Sequence, residues 1–250
     1  MARAVVDAHA RASRGMLCVL TISCALSMTT IVARTVSATT KSSSSLVALE
    51  KAAVRIAPDD RSAPKPIFVA IHGMCEDAED VCPRWSSAIG ERGFLVCPRG
   101  NVTCKGGGRT WAGDGREDNV FFGVEATRLS HGGEVDVRGG TLIGFSLGAP
   151  IALDLASRRL GAWKGLVLVA SLTIEPDPQV LARAGIERVV LAVGDLDMSR
   201  PHMLSIADRL RRGGMPTRFV GLGKIGHAYP ADLGARMSAA LSWVQGGGDP

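Results

Sequence analysis

The sequence predicts an α/β fold in which a mostly parallel, doubly wound sheet carries helices on both faces. Short apolar runs alternate with longer amphipathic segments between residues 66 and 245. The runs are apolar throughout rather than alternating in polarity, which is typical of strands buried on both faces of a parallel sheet. No internal repeat interrupts the alternation, so we expect one domain in the 250-residue chain.

Six apolar runs are the predicted strands. They are PIFVAI (66–71), FLVCP (94–98), TLIGF (141–145), GLVLVA (165–170), RVVLAVG (188–194) and TRFVGL (217–222). Five helices are predicted at residues 80–92, 118–131, 147–160, 200–212 and 231–244. In the third helix, Leu147, Ile151 and Leu155 recur at helical spacing. Pro150 lies in its first turn, where proline removes no hydrogen bond.

The first 38 residues are predicted to be a secretory signal peptide. A basic start precedes an apolar stretch at residues 16–33, and small residues lead up to a predicted cleavage point after Ala38. An uncleaved anchor is the alternative, although the Thr and Ser residues of the stretch make it a weak membrane span. Residues 39–65 are then expected to form a flexible leader, and residues 66–245 the folded domain.

Charge and composition argue against nucleic-acid binding. The chain carries a formal net charge of +5, and the four arginines and one aspartate of the first 38 residues account for +3 of it. The rest has no basic run longer than Arg211–Arg212, and its few aromatic residues offer little surface for stacking bases. We therefore expect an exported protein, periplasmic or extracellular, with no nucleic-acid partner and no membrane span after signal cleavage.

Four cysteines follow the predicted signal peptide: Cys75, Cys82, Cys97 and Cys104. An even number in an exported chain indicates two disulfides, and four cysteines allow three pairings. We favour Cys75–Cys82 and Cys97–Cys104 because each pair closes a short loop beside a strand end. A zinc site is the alternative, but the spacing contains no CxxC pair and does not match a structural zinc site, so no metal is expected.

The segment GFSLG at residues 144–148 is the main candidate for chemistry. It fits G-x-S-x-G and lies between a predicted strand and a predicted helix, the context in which this motif presents a nucleophilic serine. Gly144 and Gly148 suit this interpretation because side chains two residues before and after a sharp bend would collide. Ser146 is therefore the candidate nucleophile, with an ordinary strand-to-helix connection as the alternative.

A serine hydroxyl is a weak nucleophile unless a base removes its proton. His227 follows the last predicted strand in a glycine-rich loop, GKIGHAYP, from which its ring can reach over the sheet. The other histidines after the signal segment, His72, His131 and His202, are expected to have structural or surface roles. His227 is therefore the candidate base.

The base in turn needs an acid that orients its ring and supports its positive charge. The segment VGDLDMSR follows another buried strand and offers two acids. Asp197 is preferred because the chain must turn after the strand before a side chain can reach the histidine. Asp195 is expected to shape that turn, and Glu175 and Asp177, after the preceding strand, are the alternatives.

Two backbone N–H groups are candidate donors to the oxyanion of an acyl-transfer intermediate. Leu147 supplies one at the start of the helix after the serine. Met74, in AIHGMCED, supplies the other, because Gly73 lets that backbone come close. Trp111 is a candidate for lining the substrate pocket, with simple packing as the alternative. The triple glycine at 106–108 lacks the strand context and the lysine of a phosphate-binding loop.

Together these residues resemble the α/β-hydrolase superfamily, and within it the small carboxylesterase/phospholipase and dienelactone-hydrolase-like serine hydrolases. The resemblance spans about residues 66–244. It rests on His72-Gly73-Met74, on Gly144 to Gly148, on Asp197 and on Gly226-His227, in that order. The paired cysteines and the segment around Trp111 depart from the family pattern.

The resemblance implies an α/β-hydrolase fold with Ser146 as nucleophile, His227 as base and Asp197 as its orienting acid. It also implies the Met74 and Leu147 amides as oxyanion donors, with no metal and no organic cofactor. The expected function is an exported serine hydrolase that cleaves a small carboxylic ester through an acyl-enzyme. A serine peptidase and a catalytically inactive binding protein on the same fold are the alternatives, and the natural substrate and the oligomeric state stay open.

Overall fold

The computed structural model describes residue 49 and residues 51–158 and 162–248. The predicted signal peptide, residues 1–38, lies outside these described residues. The strands are β1 (Ala53–Ile56), β2 (Lys65–Ile71), β3 (Phe94–Pro98), β4 (Val102–Thr103), β5 (Arg109–Thr110), β6 (Val135–Phe145), β7 (Trp163–Val169), β8 (Arg188–Val193) and β9 (Thr217–Gly221). The α-helices are α1 (Ala78–Ile89), α2 (Asp118–His131), α3 (Gly148–Arg158), α4 (Pro178–Ala184), α5 (Arg200–Arg212) and α6 (Leu233–Val244).

Seven strands form one sheet in the order β1-β3-β2-β6-β7-β8-β9. In the described sheet every neighbouring pair is parallel except β1 and β3. Each of the six predicted strand runs contributes one strand, and the five predicted helices correspond to α1, α2, α3, α5 and α6. The predicted α/β fold with a mostly parallel sheet is therefore confirmed.

The central strands are buried on both faces of the sheet. Residues 166–169 of β7 and residues 189–193 of β8 have no exposed surface. Successive side chains of a strand point to opposite faces, so burial of every residue in a run means that both faces are covered. Among the described residues, no helix is both long and apolar enough to cross a bilayer.

The parallel register brings the carboxyl ends of the central strands to one edge of the sheet. Ile71 of β2 pairs with Gly144 of β6, and Phe145 of β6 pairs with Val169 of β7. Residues that directly follow these strands therefore lie side by side, at the edge where ligands bind in open α/β sheets. Ser146 is one of them.

Strand β1 corrects the sequence analysis, which assigns residues 39–65 to a flexible leader. Its four residues pair antiparallel with β3, beginning with Ala53 opposite Pro98. Three of the four are only partly buried, as expected at a sheet edge, so the segment lacks a fully apolar run. The two-residue strands β4 and β5 and the seven-residue helix α4 were also not predicted, because such short elements carry little periodicity.

The disulfide pairing differs from the favoured one. The structure joins Cys75 to Cys104 and Cys82 to Cys97, with a Cα–Cα distance of 5.7 Å in each pair. The predicted pairs Cys75–Cys82 and Cys97–Cys104 are therefore wrong. Cys82 lies on the buried face of α1, and its partner is the buried Cys97 of β3. Helix burial, rather than loop length, decides its pairing.

Candidate active site

Ser146 lies in the turn that joins β6 to α3. Its φ is 51°, in the left-handed region that residues with side chains rarely adopt. The flanking glycines make this turn possible. A Cβ on Gly144 would lie 2.6 Å from Ala149 Cα, and one on Gly148 would lie 2.7 Å from His72 O. The close approach expected from G-x-S-x-G is present, and the serine side chain is lifted out of the strand direction.

Positive φ angles in residues other than glycine occur at the ends of neighbouring strands around this turn. Among the described residues, three other than glycine have them: Cys75 (57°), Ser146 (51°) and Ala170 (49°). These residues follow β2, β6 and β7, which are neighbours in the sheet. Such conformations cost of order 1–3 kcal/mol each and cluster at functional sites. Their distribution indicates a site at the carboxyl edge of these three strands.

Ser146, His227 and Asp197 form a hydrogen-bonded line at that edge. His227 Nε2 lies 2.8 Å from Ser146 Oγ, and His227 Nδ1 lies 2.9 Å from Asp197 Oδ2. A carboxylate only accepts hydrogen bonds, so the imidazole proton belongs on Nδ1 and is donated to Asp197. Nε2 is then free to accept the proton of the serine hydroxyl. This arrangement can deprotonate Ser146 as the hydroxyl attacks a substrate.

Two loops bring the acid and the histidine together. The chain after β8 donates from Asp195 N–H to Gly223 O at 2.8 Å and from Leu196 N–H to Ile225 O at 3.0 Å. Gly194 permits this approach, because a Cβ there would lie 2.8 Å from Gly226 O. The loop that carries Asp197 is thus paired with the loop that carries His227, and this pairing aligns their side chains.

Asp197 is buried and is held by Ser199. The Asp197 side chain has no exposed surface, whereas the His227 side chain is 48% exposed. The backbone N–H and the hydroxyl of Ser199 both donate to Asp197 Oδ1 at 2.8 Å. Burial raises the pKa of Asp197, but the hydrogen bonds from Ser199 and His227 outweigh it and leave the pKa below its ordinary value. Sequence reasoning missed Ser199, although an aspartate two residues before a serine is a common turn signal.

The alternative acids are engaged elsewhere. Asp195 pairs with Arg200 at 3.2 Å, and Glu175 pairs with Arg209 at 2.5 Å. Asp177 caps helix α4, where its carboxylate accepts from two backbone N–H groups at 2.7 and 3.0 Å.

The other histidines also have partners away from the cleft. His202 Nε2 lies 3.1 Å from Ile174 O, and His131 Nδ1 lies 3.4 Å from a Glu134 carboxylate oxygen. His72 is buried and is bonded to backbone on both ring nitrogens, to Gly73 O at 2.8 Å and to Gly100 N at 3.1 Å.

Met74 and Leu147 both line the cleft next to Ser146. Within the described chain, neither of their backbone N–H groups donates a hydrogen bond. Leu147 directly precedes α3, so its N–H also lies at the positive end of the helix dipole. Both amides thus lack an acceptor in the described chain, as expected of candidate oxyanion donors.

Glu76 is a further charged group near Ser146 that sequence reasoning did not single out. Its Oε2 accepts a hydrogen bond from Gly73 N–H at 2.6 Å. A Cβ placed on Gly73 would lie 3.0 Å from that same oxygen and 3.3 Å from Ser146 Cβ. Burial raises the pKa of Glu76, against the opposing effects of the Gly73 N–H and the charges of Arg84 and His227. No sequence pattern distinguishes Glu76 from the other acids of its segment.

Trp111, the candidate for lining the substrate pocket, is not among the residues that line the cleft at Ser146. It is 5% exposed, and its Nε1–H donates to His72 O at 3.0 Å. Its ring packs against the His72 ring with a centroid distance of 4.8 Å. The alternative interpretation, simple packing, describes its position.

The cleft at Ser146 has a volume of about 440 Å³, and most of its lining is apolar. Met74, Leu172 and Met198 contribute exposed side chains to its walls. In the described part of the chain, no group of three or more His, Cys, Asp or Glu side chains is arranged to hold a metal ion. Because its lining is mostly apolar, the cleft can seat an apolar group beside the Ser146 oxygen.

No protein-family model matches the chain, and no curated protein sequence matches it. Solved structures are similar to it. Esterase PE8 matches with a TM-score of 0.58 and 21% identity over 77% of this chain and 98% of its own. A Bacillus cereus carboxylesterase matches with a TM-score of 0.57 and 20% identity over 80% and 97%. The fluorophosphonate-binding serine hydrolase FphF of Staphylococcus aureus matches with a TM-score of 0.56 and 15% identity over 76% and 90%.

These similarities show that the chain has the α/β-hydrolase fold, as the sequence motifs imply. At 15–21% identity they concern the fold. What the chain does must be argued from its own site.

Proposed function

We propose that the protein is a serine hydrolase that cleaves a carboxylic ester through an acyl-enzyme on Ser146. One observation carries the proposal: Ser146 Oγ, the His227 ring and Asp197 are joined by hydrogen bonds of 2.8 and 2.9 Å at the carboxyl edge of the sheet. The strained backbone of Ser146 and the apolar cleft beside it add support.

In the proposed reaction, Ser146 Oγ attacks the ester carbonyl while its proton passes to His227 Nε2. The negative charge that develops on the carbonyl oxygen is stabilised by the N–H groups of Met74 and Leu147. Asp197 supports the resulting imidazolium through the Nδ1–H bond. The intermediate collapses when the ester C–O bond breaks and His227 Nε2–H protonates the leaving alcohol.

Deacylation repeats these steps with water. His227 Nε2 takes a proton from a water molecule as its oxygen attacks the acyl carbonyl. The second tetrahedral intermediate expels Ser146 Oγ, which recovers its proton from His227, and releases a carboxylic acid. No metal and no organic cofactor takes part in this scheme.

The walls of the cleft favour an ester with an apolar acyl group. Met74 and Met198 are 65% and 79% exposed, and they border the cleft together with Leu172. Methionine side chains adapt to ligands of varied shape, so we expect a preference for apolar chains rather than for one acyl length. Such a surface offers few polar partners for a peptide backbone, which favours an esterase over a peptidase.

A substrate panel tests the proposed function. Wild type is expected to hydrolyse p-nitrophenyl esters of short and medium acyl chains and to leave peptide anilides intact. Ser146→Ala is expected to lose the ester activity, while Ser205→Ala, at an exposed position of α5, is expected to retain it. Folded wild-type protein that cleaves anilides would identify a peptidase, and wild type inactive on every substrate would favour a binding role.

We also propose that the protein is exported. Two disulfides support export, since they persist in oxidising compartments. Mass spectrometry of the protein recovered outside the cytoplasm is expected to find an N-terminus near Thr39. An intact Met1 on that protein would contradict signal cleavage.

A further inference from the structure

The β4–β5 hairpin (residues 100–111) is an excursion between β3 and α2 that the proposed catalytic steps do not use. It lies against the segment that follows β2, which we call the oxyanion loop (residues 72–76) because it contains Met74. The hairpin contacts this loop on both sides of Met74.

On the C-terminal side of Met74, the hairpin is joined to Cys75 and Glu76. Cys104 forms the disulfide with Cys75. Arg109 N–H donates to Glu76 O at 3.0 Å. Gly108 lies directly on the loop, since a Cβ there would be 2.7 Å from the Cys75 carbonyl carbon. The disulfide is therefore one part of a backbone-to-backbone contact, and it holds the residue next to Met74.

On the N-terminal side of Met74, the hairpin holds His72 and, through the His72 ring, Gly73. Trp111 Nε1–H donates to His72 O at 3.0 Å, and Gly100 N–H donates to His72 Nε2 at 3.1 Å. Because Nε2 accepts, the ring proton is on Nδ1, which donates to Gly73 O at 2.8 Å. Burial lowers the pKa of His72, which keeps the ring neutral and this bonding pattern intact near neutral pH.

Met74 thus lies between residues that the hairpin fixes, while its own N–H donates no hydrogen bond within the described chain. Its side chain is largely exposed and contributes little to holding the peptide in place. An N–H group that stabilises a transition state must be oriented before the reaction, because reorienting it during the reaction cancels its benefit. The orientation of this peptide therefore depends on its neighbours.

We propose that the β4–β5 hairpin is a positioning element for the oxyanion hole and that the Cys75–Cys104 disulfide fastens it. The inference rests on the proposed function, since it assigns the Met74 N–H to the oxyanion. Oxyanion hydrogen bonds form fully only in the transition state, so a loosened loop lowers kcat and leaves KM nearly unchanged. The other disulfide, Cys82–Cys97, joins α1 to β3 and serves as an internal control.

The experiment compares two double variants, each lacking one disulfide. Removing one oxyanion donor costs about 10²–10³ in kcat, so a loosened donor in Cys75→Ser/Cys104→Ser is expected to lower kcat by at least about tenfold. KM for a p-nitrophenyl ester is expected to stay within about twofold. Cys82→Ser/Cys97→Ser, assayed well below its unfolding midpoint, is expected to keep its kcat. Binding of a boronic acid that mimics the tetrahedral intermediate is expected to weaken in parallel with kcat.

A second pair of variants leaves both disulfides in place. Gly108→Ala pushes the hairpin away from Cys75 and is expected to lower kcat in the same way. Gly106→Ala, in the same glycine run, meets no atom within 4 Å and is expected to have no effect. This pair keeps the inference testable if removing Cys75–Cys104 prevents folding.

The outcomes separate the inference from the function it rests on. Wild type without esterase activity would refute the proposed function and the inference with it. An active wild type whose kcat survives loss of Cys75–Cys104, or whose two double variants lose kcat equally, would overturn the inference alone. A loss of kcat confined to the Cys75–Cys104 and Gly108 variants, with matching loss of boronate affinity, supports it.

Discussion

Replacing Ser199 with alanine perturbs the candidate triad without substituting any of its three residues. Ser199 donates two hydrogen bonds to Asp197 Oδ1, one from its backbone N–H and one from its hydroxyl, each 2.8 Å long. The Asp197 carboxylate has no exposed surface, so its hydrogen bonds come from the protein itself. Ser199→Ala keeps the backbone bond, removes the hydroxyl bond and leaves the bond to His227 in place.

The expected cost follows from the charge of the acceptor. A hydrogen bond to an ionised group contributes about 1.5–3 kcal/mol, against about 0.5–1.5 kcal/mol for a neutral pair. At pH 7 the free energy of unfolding of Ser199→Ala is therefore expected to fall by about 1.5–3 kcal/mol. The substitution also raises the pKa of Asp197, because one of the bonds that lowers it is gone.

The stability difference between wild type and Ser199→Ala is expected to depend on pH. The folded-state pKa of Asp197 is depressed, so its stabilisation is fully present above the unfolded-state value of about 3.9 and is lost as the pH falls through the folded-state value. The stability difference between wild type and Ser199→Ala is therefore expected to be largest near neutral pH. It is expected to shrink to about 0.5–1.5 kcal/mol once Asp197 is protonated in both states.

Urea unfolding at a series of pH values measures this difference. Ser205→Ala, on the exposed face of α5, is the matched control and is expected to stay within about 0.5 kcal/mol of wild type. The reasoning would be refuted by a Ser199→Ala variant as stable as wild type at pH 7, or by a stability difference that does not change with pH.

Three further predictions follow from the site. Asp197→Asn is expected to lower kcat by about 10⁴-fold without unfolding the protein, since the amide no longer holds the reactive tautomer of the histidine; steady-state kinetics and circular dichroism check this. Gly148→Ala is expected to lower the free energy of unfolding, measured in urea, by about 1–3 kcal/mol, because its Cβ overlaps the backbone at the end of β2. Gly133→Ala is the control and is expected to have little effect, since no atom lies within 4 Å of its Cβ. Met198→Asp is expected to raise KM for esters of longer acyl chains more than for acetate esters, and equal changes for both would argue against an apolar acyl site.

The central strands of the sheet were predictable because strands buried on both faces appear in the sequence as continuous apolar runs. β8 is RVVLAV, and from its second residue onward it has no exposed surface. β1 was not predictable in this way, since AVRI lies at an edge and three of its residues are partly exposed. The β4–β5 hairpin was missed for a related reason, because two-residue strands at the surface leave no periodic pattern.

The nucleophile turn was predictable because the constraint on Gly144 is local, although the atoms that exclude a Cβ at Gly148 belong to the end of β2. The atoms that exclude a Cβ at Gly144 belong to the next turn of chain, so sequence spacing already expresses them. The partners of Trp111, Glu76 and Ser199 depend on distant loops or on details of a turn, which spacing does not express. The disulfide pairing was predictable only in part. Helical spacing places Cys82 in the buried stripe of α1 with Val81 and Trp85, whereas loop length alone does not express this burial.

Covalent labelling tests the central claim most directly. Wild type treated with a fluorophosphonate and mapped by mass spectrometry is expected to carry one adduct, on Ser146 Oγ, with loss of ester hydrolysis in proportion to labelling. Ser146→Ala is expected to carry none. An adduct on another residue, or undiminished ester hydrolysis by fully folded Ser146→Ala, would contradict the account.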